Sequence, residues 1–157
     1  MIIGSSDKFA FLIEKVSDWS SCGYTNGLMY LYLRGKKYPV EDRTVTLNME
    51  INHITSNTSP LVNPTVNKTM FDMAAHQLFE KFCELTFEKG DYSYHLPFLE
   101  LENAGYYVFA VSLSDMVRIQ VGIYHNADFI EYADEVVVEK VYTEQIVDLL
   151  EKIKERL

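Results

Sequence analysis

The side chains that could take part in catalysis or metal binding are few and far apart in this sequence. His53, His76, His95 and His125 form no HExxH motif, and no histidine and cysteine occur at metal-ligand spacing. The chain also has no glycine-rich phosphate loop and no GxSxG nucleophile elbow. We therefore expect no metal, no cofactor and no catalytic residue.

Two pairs of potential acid–base partners can be judged by simple geometry. His76 and Cys83 are seven residues apart on one face of a predicted helix. Two helical turns separate them by about 10 Å, too far for a base to take the thiol proton. We therefore expect Cys83 to be a buried, unreactive thiol. His125 and Asp128 could approach each other across a loop, where we expect a solvated pair rather than an acid–base dyad.

The main polar feature is an acidic stretch from residue 128 to residue 139. It contains five carboxylates within twelve residues, without a lysine or arginine, and aromatic side chains are interleaved. Rings beside carboxylates suit an interface for a basic partner, since the ring anchors the partner and the acids steer its approach. The alternative is a solvated loop and strand edge whose charges prevent edge-to-edge pairing. The residues that we assign to the binding surface are Asp128, Glu131, Tyr132 as the anchor, Asp134 and Glu135.

A predicted hairpin from Gly105 to Tyr124 precedes this stretch. Two apolar, β-branched and aromatic runs flank Ser114-Asp115, the polar break expected of a hairpin turn. The first arm, Tyr106 to Val111, is apolar on both faces, as in a central strand, whereas the second arm alternates. The hairpin should therefore lie at the centre of a sheet.

The remaining elements are predicted from periodicity and from turn residues. Further strands are expected at Lys8–Val16, Leu28–Leu33, Lys37–Pro39, Arg43–Leu47 and Glu135–Val141. Helices are expected from the N-cap Asn48 to about Ser56, over Ala74–Phe87, and from the cap Thr143 to Leu157, with a packed loop at Asn57–Thr69 and an irregular segment at Tyr92–Leu101. This order predicts an α+β domain, with a largely antiparallel β-sheet and helices packed mainly on one face.

Length and composition fit one soluble domain spanning residues 1–157. The chain is 48% hydrophobic, yet its apolar runs are far shorter than the roughly 20 residues of a membrane span. Met1 to Gly4 leads into charged residues rather than into a signal-peptide core. Cys22 and Cys83 fit no disulfide framework, so we expect reduced thiols and a location in the cytoplasm.

The net charge of −9 is concentrated in the second part of the chain. Residues 1–69 have seven Lys/Arg and six Asp/Glu, a net charge of +1, whereas residues 70–157 have seven and seventeen, a net charge of −10. Such a surface repels nucleic acid and anionic membranes and attracts a basic protein. Alternatively, the charge only keeps the protein soluble.

Short segments along nearly the whole chain resemble one protein family. The N-terminal segments are Met1–Gly4, Asp7–Ala10, Trp19, Asn26–Leu28 and Gly35–Pro39, and the later ones are Pro60-Leu61, Leu78-Phe79, Ala104–Tyr106 and Val121–Tyr124. In type and order they resemble the immunity protein 42 family of bacterial polymorphic toxin and contact-dependent growth inhibition systems. The resemblance implies a non-enzymatic, intracellular antidote that binds the C-terminal domain of a cognate toxin and blocks it. The acidic half of the chain then favours a basic toxin, whose active or substrate-binding face it would cover.

Two other functions stay open at this point. A small cytoplasmic enzyme or ligand-binding domain could use a pocket lined by Tyr92, Tyr94, His95 and Tyr106. A structural or oligomer-forming protein would need a large self-complementary apolar patch.

Overall fold

A computed structural model describes residues 1–157 and contains two antiparallel sheets with helices packed against them. In the first sheet the order is β1-β2-β3-β4, and a fifth strand pairs with the other end of β3. Its strands are β1 Ile2–Ser5, β2 Phe9–Lys15, β3 Asn26–Leu33, β4 Lys36–Tyr38 and β5 Thr44–Thr46. The second sheet has the order β6-β7-β8-β9, with β6 His95–Leu96, β7 Tyr106–Leu113, β8 Met116–Asn126 and β9 Phe129–Glu139.

Five α-helices complete the chain, and none is long and apolar enough to cross a bilayer. They are α1 Leu47–Ile54, α2 Lys68–Phe71, α3 Ala75–Cys83, α4 Leu99–Asn103 and α5 Lys140–Lys154. A π-helical turn, Glu84–Glu88, extends α3, and a short 3-10 helix spans Ser17–Trp19. The predicted α+β class and antiparallel pairing are confirmed.

The main core is built from both sheets and from α1, α4 and α5. Phe9, Phe11 and Leu31 of the first sheet are fully buried with Ile119 and Val121 of the second. From α5, Ile146 and Leu150 join this core, as the predicted apolar stripe requires.

A second, smaller core lies where α3 covers the other face of the second sheet. Phe79 and Phe82 of α3 pack on Phe109 of β7, with ring centroids 5.6 and 5.0 Å apart. The predicted stripe of the 74–87 helix is thus confirmed. Helices therefore lie on both faces of this sheet, in agreement with the two apolar faces of Tyr106–Val111, whereas the sequence pattern did not indicate the division into two sheets.

The hairpin is confirmed, and the neighbouring strand begins earlier than expected. Leu113 pairs with Met116 across Ser114-Asp115, and Ser114 has a left-handed φ of 52°. β9 starts at Phe129 rather than Glu135, because the β8–β9 pairing begins directly at the next turn. The bulge at Ala133 interrupts the strand alternation in residues 129–134, so the sequence pattern did not indicate this part of the strand.

Both predicted helix caps are wrong. α1 begins at Leu47, and Asn48 instead accepts a hydrogen bond from the Thr25 N–H at 3.2 Å. α5 begins at Lys140, so Thr143 lies buried in its first turn, where its hydroxyl donates to the Lys140 carbonyl at 2.8 Å. Each side chain makes a local or tertiary bond that competes with capping.

Four short elements, β1, α2, β6 and α4, were not expected from the sequence. α2 occurs at the end of the predicted loop, where the Asn67 side chain accepts from the Met70 N–H at 3.0 Å and caps the turn. β6 and α4 lie in the segment that looked irregular. Strands and helices of two to five residues are too short to produce a periodic pattern.

Candidate partner-binding surface

The acidic stretch forms β9, the edge strand of the second sheet. On its inner side β9 pairs with β8, and α3 packs across both strands. Val121 pairs with Asp134 but Gly122 pairs with Tyr132, so Ala133 is an extra residue in a β-bulge. Because of the bulge and the strand alternation, the five predicted binding residues differ in burial and in the elements that they contact.

Asp128 and Glu131 are exposed at the β8–β9 end of the sheet. Neither carboxylate forms an ion pair, and Phe129 between them is 45% exposed. The Phe129 ring packs on His125, with centroids 4.9 Å apart. Here the structure brings two free charges and an aromatic side chain together on the surface.

Asp134 faces the first sheet and is only 7% exposed. Its Oδ1 lies 3.2 Å from Nη1 of Arg34, in the turn between β3 and β4, and also accepts the Glu135 N–H at 2.8 Å. The hydrogen bond from the Glu135 N–H satisfies a backbone donor of the edge strand. Asp134 therefore links the two sheets and partly protects the edge.

Glu135 faces α3 and belongs to a buried polar network. Its Oε1 accepts from Arg118 Nη2 and Gln120 Nε2, both at 2.7 Å. Arg118 also donates to the carbonyls of Phe71 and Met73, at 2.8 and 2.6 Å. The carboxylate thus neutralises the arginine that holds the α2–α3 connection onto the sheet.

Tyr132 is half-buried beside α3. Its ring contacts His76 edge to face, with centroids 5.0 Å apart. Burial, followed by the nearby Glu135 and Asp134 carboxylates, raises the pKa of the Tyr132 hydroxyl. The phenol is therefore neutral at physiological pH and can act as an amphipathic anchor.

A cleft of about 300 Å³ separates α3 from the start of β9. The helix contributes His76, Phe79 and Glu80, and the strand contributes Ile130, Glu131 and Tyr132. The sequence did not indicate that Phe79 and Glu80 lie beside β9, because about 50 residues separate them from this strand in the chain. The helical pattern predicted only that Glu80 faces the solvent.

The immunity protein 42 family model matches residues 1–153. The chain belongs to the immunity protein 42 family. It therefore neutralises a toxin, and the resemblance noted in the sequence is confirmed.

The fold of this immunity protein is similar to one in a solved structure, the crystal structure of CdiI from Burkholderia dolosa AUO158. The TM-score is 0.75 at 20% sequence identity, over 97% of this chain and 99% of the other. At this identity the likeness concerns the fold. No curated protein sequence matches the chain.

The thiol of Cys83 in this immunity protein is buried, as predicted. Burial raises its pKa to about 12, so the thiol stays protonated at neutral pH. His125 and Asp128 are both exposed. No three His, Cys, Asp or Glu side chains are grouped as metal ligands.

The tyrosines of the alternative ligand pocket are not gathered in one place. Tyr94 packs on Phe82 in the smaller core, with ring centroids 5.5 Å apart. Tyr106 packs against the main core and contacts Tyr38 at 5.3 Å. Tyr92 is 57% exposed. The three tyrosines thus do not line a shared cavity, and the fourth residue, His95, contacts Tyr92 edge to face at 5.9 Å and lies 2.6 Å from Glu102.

Proposed function

We propose that residues 1–157 act as one immunity-type domain that binds the C-terminal domain of a basic toxin in the cytoplasm and covers its active or substrate-binding face. The observation behind this proposal is the pair of free carboxylates, Asp128 and Glu131, around exposed Phe129 on an edge strand. The inhibition is stoichiometric and involves no catalysis. The family match supports an inhibitor of this kind.

The five predicted residues have two roles in this proposal. Asp128 and Glu131 contact the toxin directly, with Tyr132 as the anchor at the edge of the cleft. Asp134 and Glu135 add to the negative potential and hold β9 in place through their arginine partners. A rigid, pre-formed strand reduces the entropy that association costs.

Electrostatic steering explains why the acidity is concentrated. Residues 70–157, which have a net charge of −10, form the end of α2, the helices α3 to α5 and the whole second sheet. A field of one sign raises the association rate with an oppositely charged protein, and salt screens it. Fast capture matters because a free toxin acts before it is bound.

The similarity to CdiI supports placing this protein in a contact-dependent growth inhibition system. In that setting the antidote is needed in the cytoplasm of the cell that receives the toxin. The toxin to test first is the product encoded directly upstream of this chain.

The experiment combines toxin capture, rescue of toxicity and a salt titration. The double variant D128K/E131K should lose capture, whereas the matched control E144K/E155K changes the net charge equally on exposed positions of α5 and of the chain end. We expect the association rate of the wild type to fall at high salt. Loss of capture by both variants alike would place the site elsewhere, and no capture by the wild type would reject the proposed toxin partner.

A further inference from the structure

We propose that the toxin adds an extended segment of its own chain to the outer edge of β9, along Glu135–Glu139. This inference rests on the proposed function and identifies how the partner is held. β9 is an edge strand of 11 residues, whereas the other edge strands are short: β1 has four residues, β4 and β5 have three each, and β6 has two. Proteins normally keep exposed edges short, because the free N–H and C=O groups of an edge pair with other extended chains.

The hydrogen bonds at the end of the strand show which backbone groups of β9 point outward. The Lys140 N–H donates to the Asp115 carbonyl at 2.6 Å, in register with the β8–β9 pairs. Residues of an antiparallel strand alternate between bonding the neighbouring strand and pointing away from it. Val136 and Val138 therefore bond to β8, and the N–H and carbonyl of Val137 point to the open edge.

The protein protects only the upstream part of this edge. The Asp134 carboxylate accepts the Glu135 N–H at 2.8 Å, and the bulge at Ala133 disturbs the strand just before it. Val137 and Glu139 both point outward, and their N–H groups have no acceptor in the protein. Val137 is 45% exposed, and Glu135–Glu139 contains no lysine or proline, the residues that commonly block an edge. Backbone groups that suit strand addition therefore remain open.

The charges of this edge favour a segment of the toxin over a second copy of this chain. Two copies paired antiparallel about Val137 would place Glu135 of one copy directly opposite Glu139 of the other, and like charges in opposite positions destabilise a strand pair. A toxin segment with neutral or basic residues at these positions avoids this repulsion. Glu131 of the proposed binding surface lies on the same strand, about 20 Å from Val137 at roughly 3.3 Å per residue. One partner can cover both within an interface of ordinary size.

Hydrogen exchange of the wild-type protein tests the added strand without any mutation. The Val137 and Glu139 amides should exchange fast in the isolated protein, whereas the Val136 and Val138 amides, bonded to β8, should be protected. In the complex with the toxin domain, exchange at Val137 and Glu139 should slow by at least about tenfold, while Val136 and Val138 change little. Nuclear magnetic resonance of the isotope-labelled protein resolves the individual amides.

The variant V137P removes the outward N–H, and V137A is its matched control. Proline is tolerated at an edge position whose N–H makes no ladder bond, so both variants should fold, which urea unfolding checks. V137A loses the same β-branched side chain but keeps the backbone donor. We expect V137P to bind the toxin domain about tenfold more weakly than V137A, as for the loss of one hydrogen bond. If V137P does not fold, the exchange measurement decides alone.

The possible failures of this inference and of the proposed function are distinguishable. Equal affinities of folded V137P and V137A, or unchanged exchange at Val137 in the complex, would overturn the inference while leaving the proposed function intact. Protection of Val137 in the isolated protein, together with a dimer in analytical ultracentrifugation, would assign the edge to a second copy and would also overturn it. Failure of the wild type to bind would instead reject the proposed function.

Discussion

Asp134 and Glu135 are adjacent in β9 and pair with arginines on opposite faces of the second sheet. Asp134 lies 3.2 Å from Arg34 of the first sheet, and Glu135 lies 2.7 Å from Arg118 beneath the α2–α3 connection. The edge strand is thus fixed on both sides by charged contacts. These two carboxylates of the acidic stretch thus stabilise β9, the strand that also holds the exposed Glu131.

Replacing Glu135 by glutamine should therefore destabilise the protein. Arg118 is only 7% exposed, and removing one member of a buried pair leaves an uncompensated charge. We expect a loss of about 3 kcal/mol in the free energy of unfolding, somewhat reduced by the carbonyls that Arg118 retains. Urea unfolding followed by circular dichroism measures this change.

The control is Glu151→Gln on α5. Glu151 pairs with Lys154 at 2.9 Å on the surface, where an ion pair contributes under about 1 kcal/mol. Equal, small losses for E135Q and E151Q would contradict the structural role of Glu135.

Gly122→Ala tests the close packing of α3 on the sheet. An added Cβ would lie 2.4 Å from Phe79 Cζ and 2.5 Å from the Glu131 carbonyl oxygen. Overpacking of this kind costs about 1–3 kcal/mol, because neither a buried ring nor a strand backbone can move freely.

The double variant G122A/F79L separates these two contacts. Leucine removes the ring contact and leaves the carbonyl contact, so the combined loss of stability should be smaller than the sum of the single losses. Strict additivity in thermal or urea unfolding would show that α3 does not press on Gly122.

The parts of the fold that were predictable depend on local pattern. The β7–β8 hairpin and the apolar faces of α3 and α5 follow from alternation and helical spacing within single segments. The surroundings of Asp134 and Glu135 do not, because Arg34 lies 100 residues from Asp134 and the Ala133 bulge shifts the alternation. The sequence indicated the acidic stretch and predicted a strand only from Glu135, and the structure alone separates the exposed carboxylates from the paired ones.

The two cysteines should react very differently with an alkylating reagent. Cys22 is exposed, whereas Cys83 is 1% exposed and its pKa is raised to about 12 by burial. Native protein treated with iodoacetamide should gain one adduct, at Cys22, and unfolded protein should gain two. Peptide mass spectrometry locates the adduct, with C22S as the control. Fast labelling of Cys83 in native C22S would contradict the buried position.

Glu50 should make stability depend on pH near neutrality. It is 3% exposed in α1, and burial raises its pKa to about 7, although its Oε2 accepts the Leu99 N–H at 2.9 Å. The folded protein therefore keeps this proton at pH values where the unfolded chain has lost it, so stability falls as pH rises from about 4.5 to 7. Glu50→Gln retains an acceptor for Leu99 and cannot ionise.

Relative to the wild type, E50Q should gain about 2 kcal/mol in free energy of unfolding between pH 5 and pH 8. The comparison variant is E151Q, because the hydrogen bond from Lys154 lowers the pKa of Glu151. The ionised Glu151 therefore stabilises the fold, and this stabilisation is lost as the pH falls, the reverse of the pH dependence expected for Glu50. Urea titrations at each pH give both differences. Wild type and E50Q share every other titrating group. If their free energies of unfolding changed in parallel with pH, Glu50 would have the same pKa in the folded and unfolded chains. That result would contradict its buried position between α1 and α4.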